Sequence, residues 1–237
     1  MKILILSGQG INCEEESRYA LSYVYKNEFN ENAQIKIQHV NEFISKNNLD
    51  INLLVIPGGF SFADALGAGV FFTDKLSALK NKIVDFLNKK NTFLLGICNG
   101  CQVITRLFFN QEIILINNQN KNNSYICKWV KVKSSNELFK NVSLLPIAHG
   151  EGRFTINQKQ KSKTYKVILN YNEIENNFNN SELNIAGISS VEDNILAMMP
   201  HPERALFNYQ LPQNNQKPFF EHSDGYNLFK NIINKLS

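Results

Sequence analysis

Three short apolar runs, each cut off by turn-forming residues, limit what this chain can fold into. They span 2–7 before Gly8-Gln9-Gly10, 53–56 before Pro57-Gly58-Gly59, and 93–97 before Cys98. Runs this short, apolar without alternation, suit strands covered on both faces, as in a parallel sheet. Segments with helical spacing lie between them. One is 14–26; another is 76–87, where Leu76, Leu79, Ile83, Phe86 and Leu87 share one helical face. Alternating strands and helices predict an α/β fold, a doubly wound, mostly parallel sheet with helices on both faces.

The second half reads differently. In 125–133, Ile126, Lys128, Val130 and Val132 alternate with Tyr125, Cys127, Trp129 and Lys131, and 164–171, 184–191 and 194–199 also read as strands. They predict a small antiparallel section beside the parallel sheet. The stretch 224–236 carries Leu228, Phe229, Ile232, Ile233 and Leu236 at helical spacing and predicts a closing helix. Polar stretches at 117–123, 173–184 and 213–217 read as surface loops. No repeat or shift in composition divides the chain, so 1–237 is expected to form one domain.

With 237 residues, 43% of them hydrophobic, the chain can bury a core without disulfides or a structural metal. The net charge of +4 is scattered and nowhere alternates with aromatics, so nucleic acid is not an expected partner. Four cysteines without dense even spacing suit a reducing compartment. The first apolar run is too short for a signal peptide, and no stretch approaches the ~20 apolar residues of a membrane span. A cytoplasmic protein with no membrane contact is expected.

The sharpest local feature is Gly96-Ile97-Cys98-Asn99-Gly100, between a buried strand and a helix-like segment at 101–109. This is the layout of a nucleophile elbow, a strained strand-to-helix turn with small residues two positions either side of the nucleophile. A thiol there sits at a helix N-terminus, which favours the thiolate, and the Asn99 N–H points toward a developing oxyanion. Other readings compete. A cysteine is often a small buried hydrophobe, and Cys98-Asn99-Gly100-Cys101 is also a Cys-x-x-Cys. A zinc site would need two more close ligands, and neither Cys13 nor Cys127 has a paired neighbour. Cys101 is read as a helix residue packing on the sheet.

A catalytic cysteine needs a base, and the base needs a group to orient it. His201-Pro202-Glu203 follows the apolar run 195–200, so a strand would deliver His201 to the sheet edge. Pro202 disfavours helix at His201, and in extended chain residues two apart face the same way, which lets Glu203 reach the imidazole. Of the other histidines, His39 reads as structural and His222 as solvated. His149, in Ala148-His149-Gly150-Glu151-Gly152-Arg153-Phe154, has two readings: with Glu151 and Arg153 it forms a site rim or partner contact, or the segment is a plain glycine-rich turn. Pro57-Gly58-Gly59 ends a strand, and a backbone N–H there can supply a second oxyanion donor. Gly8-Gln9-Gly10 is a poor dinucleotide fingerprint, because Cys13 takes the third glycine's place.

Three of these motifs, Gly96-Ile97-Cys98-Asn99-Gly100-Cys101-Gln102, Pro57-Gly58-Gly59-Phe60-Ser61 and Met199-Pro200-His201-Pro202-Glu203-Arg204, make the chain resemble the class I glutamine amidotransferases, whose sheet is flavodoxin-like. Asn12-Cys13-Glu14, the 148–154 segment and Ser223-Asp224-Gly225 narrow the likeness to the members that serve de novo purine synthesis. The match runs through nearly the whole chain in order. It implies Cys98 as nucleophile, His201 as general base and acid, Glu203 as its orienter, the N–H groups of Gly59 and Asn99 as oxyanion hole, and Gln102 as a contact for substrate glutamine. It further implies that ammonia passes to an ATP-dependent synthetase subunit, which converts formylglycinamide ribonucleotide to its amidine, often with a small bridging subunit. No cofactor is expected in this chain, with ATP and Mg2+ on the synthetase. A glutaminase for a different synthetase, or a related cysteine hydrolase on the same fold, would use the same residues. An inactive regulatory subunit would have no need of all three. Two departures stand out: Phe62-Ala63-Asp64 replaces the usual Tyr-Gly-Asp, partly resembling the long fused form of the enzyme, and Lys128 stands where Arg is frequent.

Overall fold

The computed structural model describes residues 1–46, 48–109, 112–120, 124–159, 164–212, 218 and 221–237. In chain order the elements are β1 (Lys2–Ser7), α1 (Glu14–Phe29), β2 (Gln34–His39), α2 (Val40–Lys46), β3 (Leu53–Ile56), α3 (Val70–Ser77), α4 (Lys80–Leu87), β4 (Phe93–Ile97), α5 (Asn99–Ile104), β5 (Ile113–Asn117), β6 (Ile126–Lys133), β7 (Leu144–His149), β8 (Glu151–Ile156), β9 (Tyr165–Tyr171), β10 (Ile185–Ser190), β11 (Ile195–Met198) and α6 (Asp224–Leu236). The main sheet has nine strands in the order β2-β1-β3-β4-β11-β10-β9-β6-β7, and β5 and β8 form a separate ribbon. From β2 to β11 every pairing is parallel, and from β11 to β7 every pairing is antiparallel.

The three apolar runs are β1, β3 and β4. Every residue of β3 and β4 is buried, which is why their sequences show no alternation. In β6, at the antiparallel end, Ile126, Val130 and Val132 are buried; Lys128 breaks the alternation and stays exposed, its ammonium 4.4 Å from the centre of the Phe178 ring. The closing helix α6 buries Leu228, Phe229, Ile232, Ile233 and Leu236. At its first turn the Asp224 carboxylate accepts the N–H groups of Ser143 and Leu144 at 2.7 Å each, fixing the start of β7. Among the described residues no helix is long and apolar enough to cross a membrane.

Several expectations need correction. The helix expected over 76–87 is two helices, because the chain turns between Leu76 and Leu79. The helix expected at 101–109 begins at Asn99 and widens into a π-helical turn at Thr105–Phe109. Strand β7 is hidden in the sequence because Pro146 argues against a central strand; β7 lies at the sheet edge, where proline is tolerated. The 173–184 stretch is not simply surface loop. Asn177, Asn179 and Ser181 are buried, and Asn179 donates to the Gly152 carbonyl at 2.7 Å. His222 is not simply solvated: its ring stacks on Tyr226 with centroids 3.6 Å apart. The 213–217 loop and residues 121–123 of the 117–123 loop lie outside the described residues.

The elbow depends on two glycines. A Cβ on Gly96 would come within 2.5 Å of Ile104 Cδ1 and 2.6 Å of the Gly100 carbonyl oxygen, and one on Gly100 would run into the Ile56 carbonyl. Backbone cannot yield as a flexible side chain can. Gly100→Ala should therefore destabilise the fold by about 2–3 kcal/mol, a drop of roughly 5–10 °C in thermal midpoint. At Gly150 a Cβ would meet only Tyr125 Cδ2 at 3.7 Å, so Gly150→Ala should leave the midpoint nearly unchanged. Thermal unfolding of both variants checks this, and equal midpoints would show that the elbow relaxes to accept a methyl group.

Candidate active site

Cys98 follows the last residue of β4 with φ 52° and ψ −102°, a conformation that costs about 1–3 kcal/mol for a side-chain-bearing residue. Parallel pairing holds it there. Its N–H donates to the Met198 carbonyl at 2.8 Å, which continues the β4–β11 ladder past the strand end. In this arrangement the Cys98 thiol donates to the Ala148 carbonyl at 3.4 Å.

The same ladder delivers His201. Three residues beyond β11, its N–H donates to the Pro146 carbonyl of β7 at 2.8 Å. His201 Nδ1 lies 2.5 Å from Glu203 Oε1, with both side chains buried. The pair forms through a 3-10 turn at Pro202–Arg204 that opens on Pro202, not through the extended chain expected from sequence. Burial opposes charge on the imidazole, but the Glu203 carboxylate and the Cys98 sulfur outweigh it and hold the His201 pKa well above its ordinary value. His201 Nε2 is buried with no hydrogen-bond partner. With Nδ1 donating to Glu203, the free nitrogen is left to face the thiol chemistry.

Two residues of the site lie within motifs of the sequence, but nothing in the sequence places them against His201. Cys13 caps α1 with its sulfur 3.0 Å from an Arg204 guanidinium nitrogen. The ligand atoms of Cys13, His201 and Glu203 lie within 4.8 Å of one another, the one such cluster among the described residues. Those atoms are already engaged: the imidazole Nδ1 with Glu203, and the sulfur with Arg204. Burial holds the Cys13 thiol above its ordinary pKa, with His201 working against it. Gly58 is the second consequence of this crowding. A Cβ there would lie 2.8 Å from His201 Cε1 and 3.0 Å from the Cys13 sulfur.

Of the two expected oxyanion donors, Gly59 lines the same cavity as Cys98 and Asn99 follows it in the chain. Gly59, at φ 151°, sits in an antiparallel bridge with Ile11 whose hydrogen bonds run through the Gly58 carbonyl and the Phe60 N–H, leaving the Gly59 N–H outside it. Asn99 is the first residue of α5, where backbone N–H groups have no acceptor within the helix. Gln102 is engaged at both ends: its Oε1 accepts from Asn99 Nδ2 at 2.8 Å, and its Nε2 donates to the Glu151 carbonyl.

These groups open on a cavity of about 850 Å3, lined among others by Cys98, Gln102, Asp64, His149, Glu151 and Arg153. Glu151 straps the cavity wall, pairing with Arg106 at 2.7 Å and accepting the Ala68 N–H at 3.1 Å. Arg153 donates to the Asn180 carbonyl at 3.2 Å. His149 stands within the cavity wall and is 2% exposed. Burial, with the nearby charge of His201, lowers its pKa to about 3.

Fold and site together define a cysteine hydrolase of the nucleophile-elbow type, with a buried histidine–glutamate pair beside the thiol. The chain belongs to the CobB/CobQ-like glutamine amidotransferase domain family, whose model matches residues 1–234. It is 32% identical over 263 residues to the phosphoribosylformylglycinamidine synthase subunit PurQ of Methanococcus maripaludis, covering 99% of this chain and 93% of that one. To the protein of the same name from Trichormus variabilis it is 32% identical over 247 residues, covering 100% and 98%. The solved structure of PurLQS from Thermotoga maritima superposes with a TM-score of 0.76 at 25% identity, covering 100% of this chain and 99% of that chain. The glutaminase domain of CTPS from Trypanosoma brucei, solved with bound acivicin, shares the fold at a TM-score of 0.59 and 12% identity, covering 100% of this chain and 93% of that chain.

The two buried histidines bend stability with pH in separate windows. His149 has a lowered folded pKa, so its contribution is present above 6.5 and is lost as pH falls toward 3. His201 has a raised one, so its contribution is present below 6.5 and is lost as pH rises through the folded value. Between pH 6.5 and 5, His149 should cost ~1.4 kcal/mol per pH unit. His149→Gln should flatten the acid limb of stability measured by urea unfolding by about one proton's worth. An unchanged slope would mean that His149 takes up a proton in the folded state.

Proposed function

We propose that this chain is the glutaminase subunit of phosphoribosylformylglycinamidine synthase. It hydrolyses glutamine to glutamate and ammonia and supplies the ammonia to an ATP-dependent synthetase subunit. That synthetase converts formylglycinamide ribonucleotide to its amidine. The observation that carries the chemistry is the 2.5 Å contact between His201 Nδ1 and Glu203, in the loop that β11 brings alongside Cys98. Full-length similarity to the PurQ subunits supports the choice of synthetase.

The reaction follows from the geometry. His201 Nε2 takes the Cys98 thiol proton as sulfur bonds to the side-chain carbonyl carbon of glutamine. A base whose conjugate acid is stabilised by Glu203 accepts that proton readily. Charge moves to the former carbonyl oxygen, where the Gly59 and Asn99 N–H groups receive it. The tetrahedral adduct collapses, the C–N bond breaks, and His201 returns the proton to the leaving nitrogen as ammonia departs. Water then attacks the γ-glutamyl thioester, giving up a proton to His201. Cys98 leaves and recovers that proton, and glutamate is released. Gln102 acts in this scheme by holding Asn99 and the Glu151 backbone at the cavity. ATP and Mg2+ act on the partner, a small bridging subunit completes the assembly, and the reaction takes place in the cytoplasm, a compartment consistent with four free cysteines.

Cys98→Ala should abolish glutamine-dependent amidine formation by the assembled enzyme, while added ammonium salts still support the synthetase. The assay is product formation from formylglycinamide ribonucleotide with each nitrogen source. Undiminished glutamine use by the variant would remove Cys98 from the reaction.

A further inference from the structure

Beyond the thiol, its base and the oxyanion donors, the cavity wall carries a buried imidazole that the reaction above does not use. His149 lines the cavity beside Ala148, whose carbonyl accepts the Cys98 thiol. Its ring is held on the Nδ1 side. Nδ1 lies 3.0 Å from Asn118 Oδ1, and Gly152 packs so closely that a Cβ there would collide with Nδ1 and Cε1. The orientation of the Asn118 amide follows from its other bonds: Nδ2 donates to the His149 carbonyl at 2.7 Å, and Oδ1 accepts the Gly152 N–H at 3.2 Å. Asn118 therefore offers an acceptor to His149, so Nδ1 carries the hydrogen and Nε2 is a bare lone pair. That Nε2 is buried and has no partner. A buried acceptor left without a donor is unfavourable, and the group that relieves it must bring an N–H or O–H to it.

Polar groups of the cavity that Cys98 shares with Gly59, Ala148 and His149 are sorted by type. On the side of β3 and α5 stand donors, the N–H groups of Gly59 and Asn99. On the β7 side stand acceptors, the Ala148 carbonyl and His149 Nε2. A carboxamide has the complementary pattern, with an oxygen that needs donors and an NH2 that needs acceptors. We propose that His149 Nε2 accepts a hydrogen bond from the side-chain NH2 of the substrate glutamine and follows that nitrogen as it leaves as ammonia. This rests on the glutaminase reading and assigns His149 the positioning of the leaving group. An imidazole that stays neutral through the working pH range can hold ammonia without giving it a proton, which keeps the nitrogen nucleophilic. No bond to His149 forms or breaks, and the proton given to the leaving nitrogen comes from His201.

The test compares two substrates in the assembled enzyme: glutamine and the γ-methyl ester of glutamate, whose leaving oxygen carries no hydrogen. His149→Leu should lower kcat/KM for glutamine about 10- to 100-fold while ester hydrolysis changes less than about threefold. Gly152→Ala, which displaces the ring, should show the same split. Equal losses on both substrates, or no loss on glutamine, would overturn the proposal. Retained ester hydrolysis also reports that the variant is folded. A second measurement needs no change at His149. In the Cys98→Ala protein, the ring 15N signal of Nε2 should start as that of an unprotonated nitrogen and move toward the hydrogen-bonded position on adding glutamine. A signal that does not move at saturating glutamine also overturns it. Failure of the wild-type assembly to hydrolyse glutamine at all would instead defeat the glutaminase reading, and this proposal with it.

Discussion

One parallel strand pairing governs the rest of this molecule. Strand β11 lies against β4 with Met198 opposite Ile97, so the chain leaves both strands at the same end of the sheet. Cys98 and His201 are 103 positions apart in sequence, yet neither has far to go after its strand stops. The bond from the Cys98 N–H to the Met198 carbonyl fastens the nucleophile turn to the strand that carries the histidine. The His201 N–H is fastened in turn to Pro146 on the opposite sheet edge. Elbow, base and cavity wall thus share a backbone frame, and side-chain placement follows from ladder register. Active sites at the carboxyl ends of parallel strands are a general outcome of open α/β sheets. Here the antiparallel extension folds β7 back so that Ala148 and His149 close the far side.

Crowding around that frame explains the glycines. Gly96 and Gly100 let α5 start directly over β3 and β4, and Gly58 lets the loop pass under the imidazole. The same loop then does something glycine would make easy, with residues that make it costly. Phe62, Ala63 and Asp64 are all left-handed, at φ 54°, 55° and 51°, at about 1–2 kcal/mol each for a residue bearing a Cβ. What offsets the cost is visible at the loop's base. The Phe62 N–H donates to the Gln9 carbonyl at 2.8 Å, Arg106 holds the Ala68 carbonyl at 3.0 Å, and Glu151 takes the Ala68 N–H. The loop is strapped to the cavity wall at both ends.

How far the sequence can be read depends on whether a feature is local. Strands β1, β3 and β4 and helix α6 are legible because burial on both faces, or on one stripe, writes itself into consecutive residues. The Cys98 turn is legible for the same reason, since its steric demands fall within two positions on either side. His201 and Glu203 stand out as a pair, but the turn that joins them does not: Pro202 signals what it forbids, helix at His201, more plainly than the 3-10 turn it opens. Cys13 gives no sign of being a neighbour of His201, because nothing near it in sequence shows that α1 begins against the Pro57-Gly58-Gly59 loop. Asn118 is hidden because it sits in a polar stretch that reads as loop, and its burial comes from β7 and β8 folding over it. Such contacts exist only after the sheet has formed.

The two histidines of the cavity show how one environment can set opposite charge states. Both are fully enclosed, and burial alone would discharge both. His201 has a carboxylate 2.5 Å away and the Cys98 sulfur acting on it, so a proton taken up there is stabilised. His149 has the neutral amide of Asn118 and, beyond it, the positive charge of His201, which drives its pKa further down. The difference lies in the partner each ring donates to, a carboxylate or a carboxamide. In the proposed reaction the two states serve different ends: one nitrogen gives and takes a proton while the other only receives a hydrogen bond. The sheet supplies this by bringing an acid-partnered histidine from its parallel half and an amide-partnered histidine from its antiparallel half to the ends of strands around one cavity.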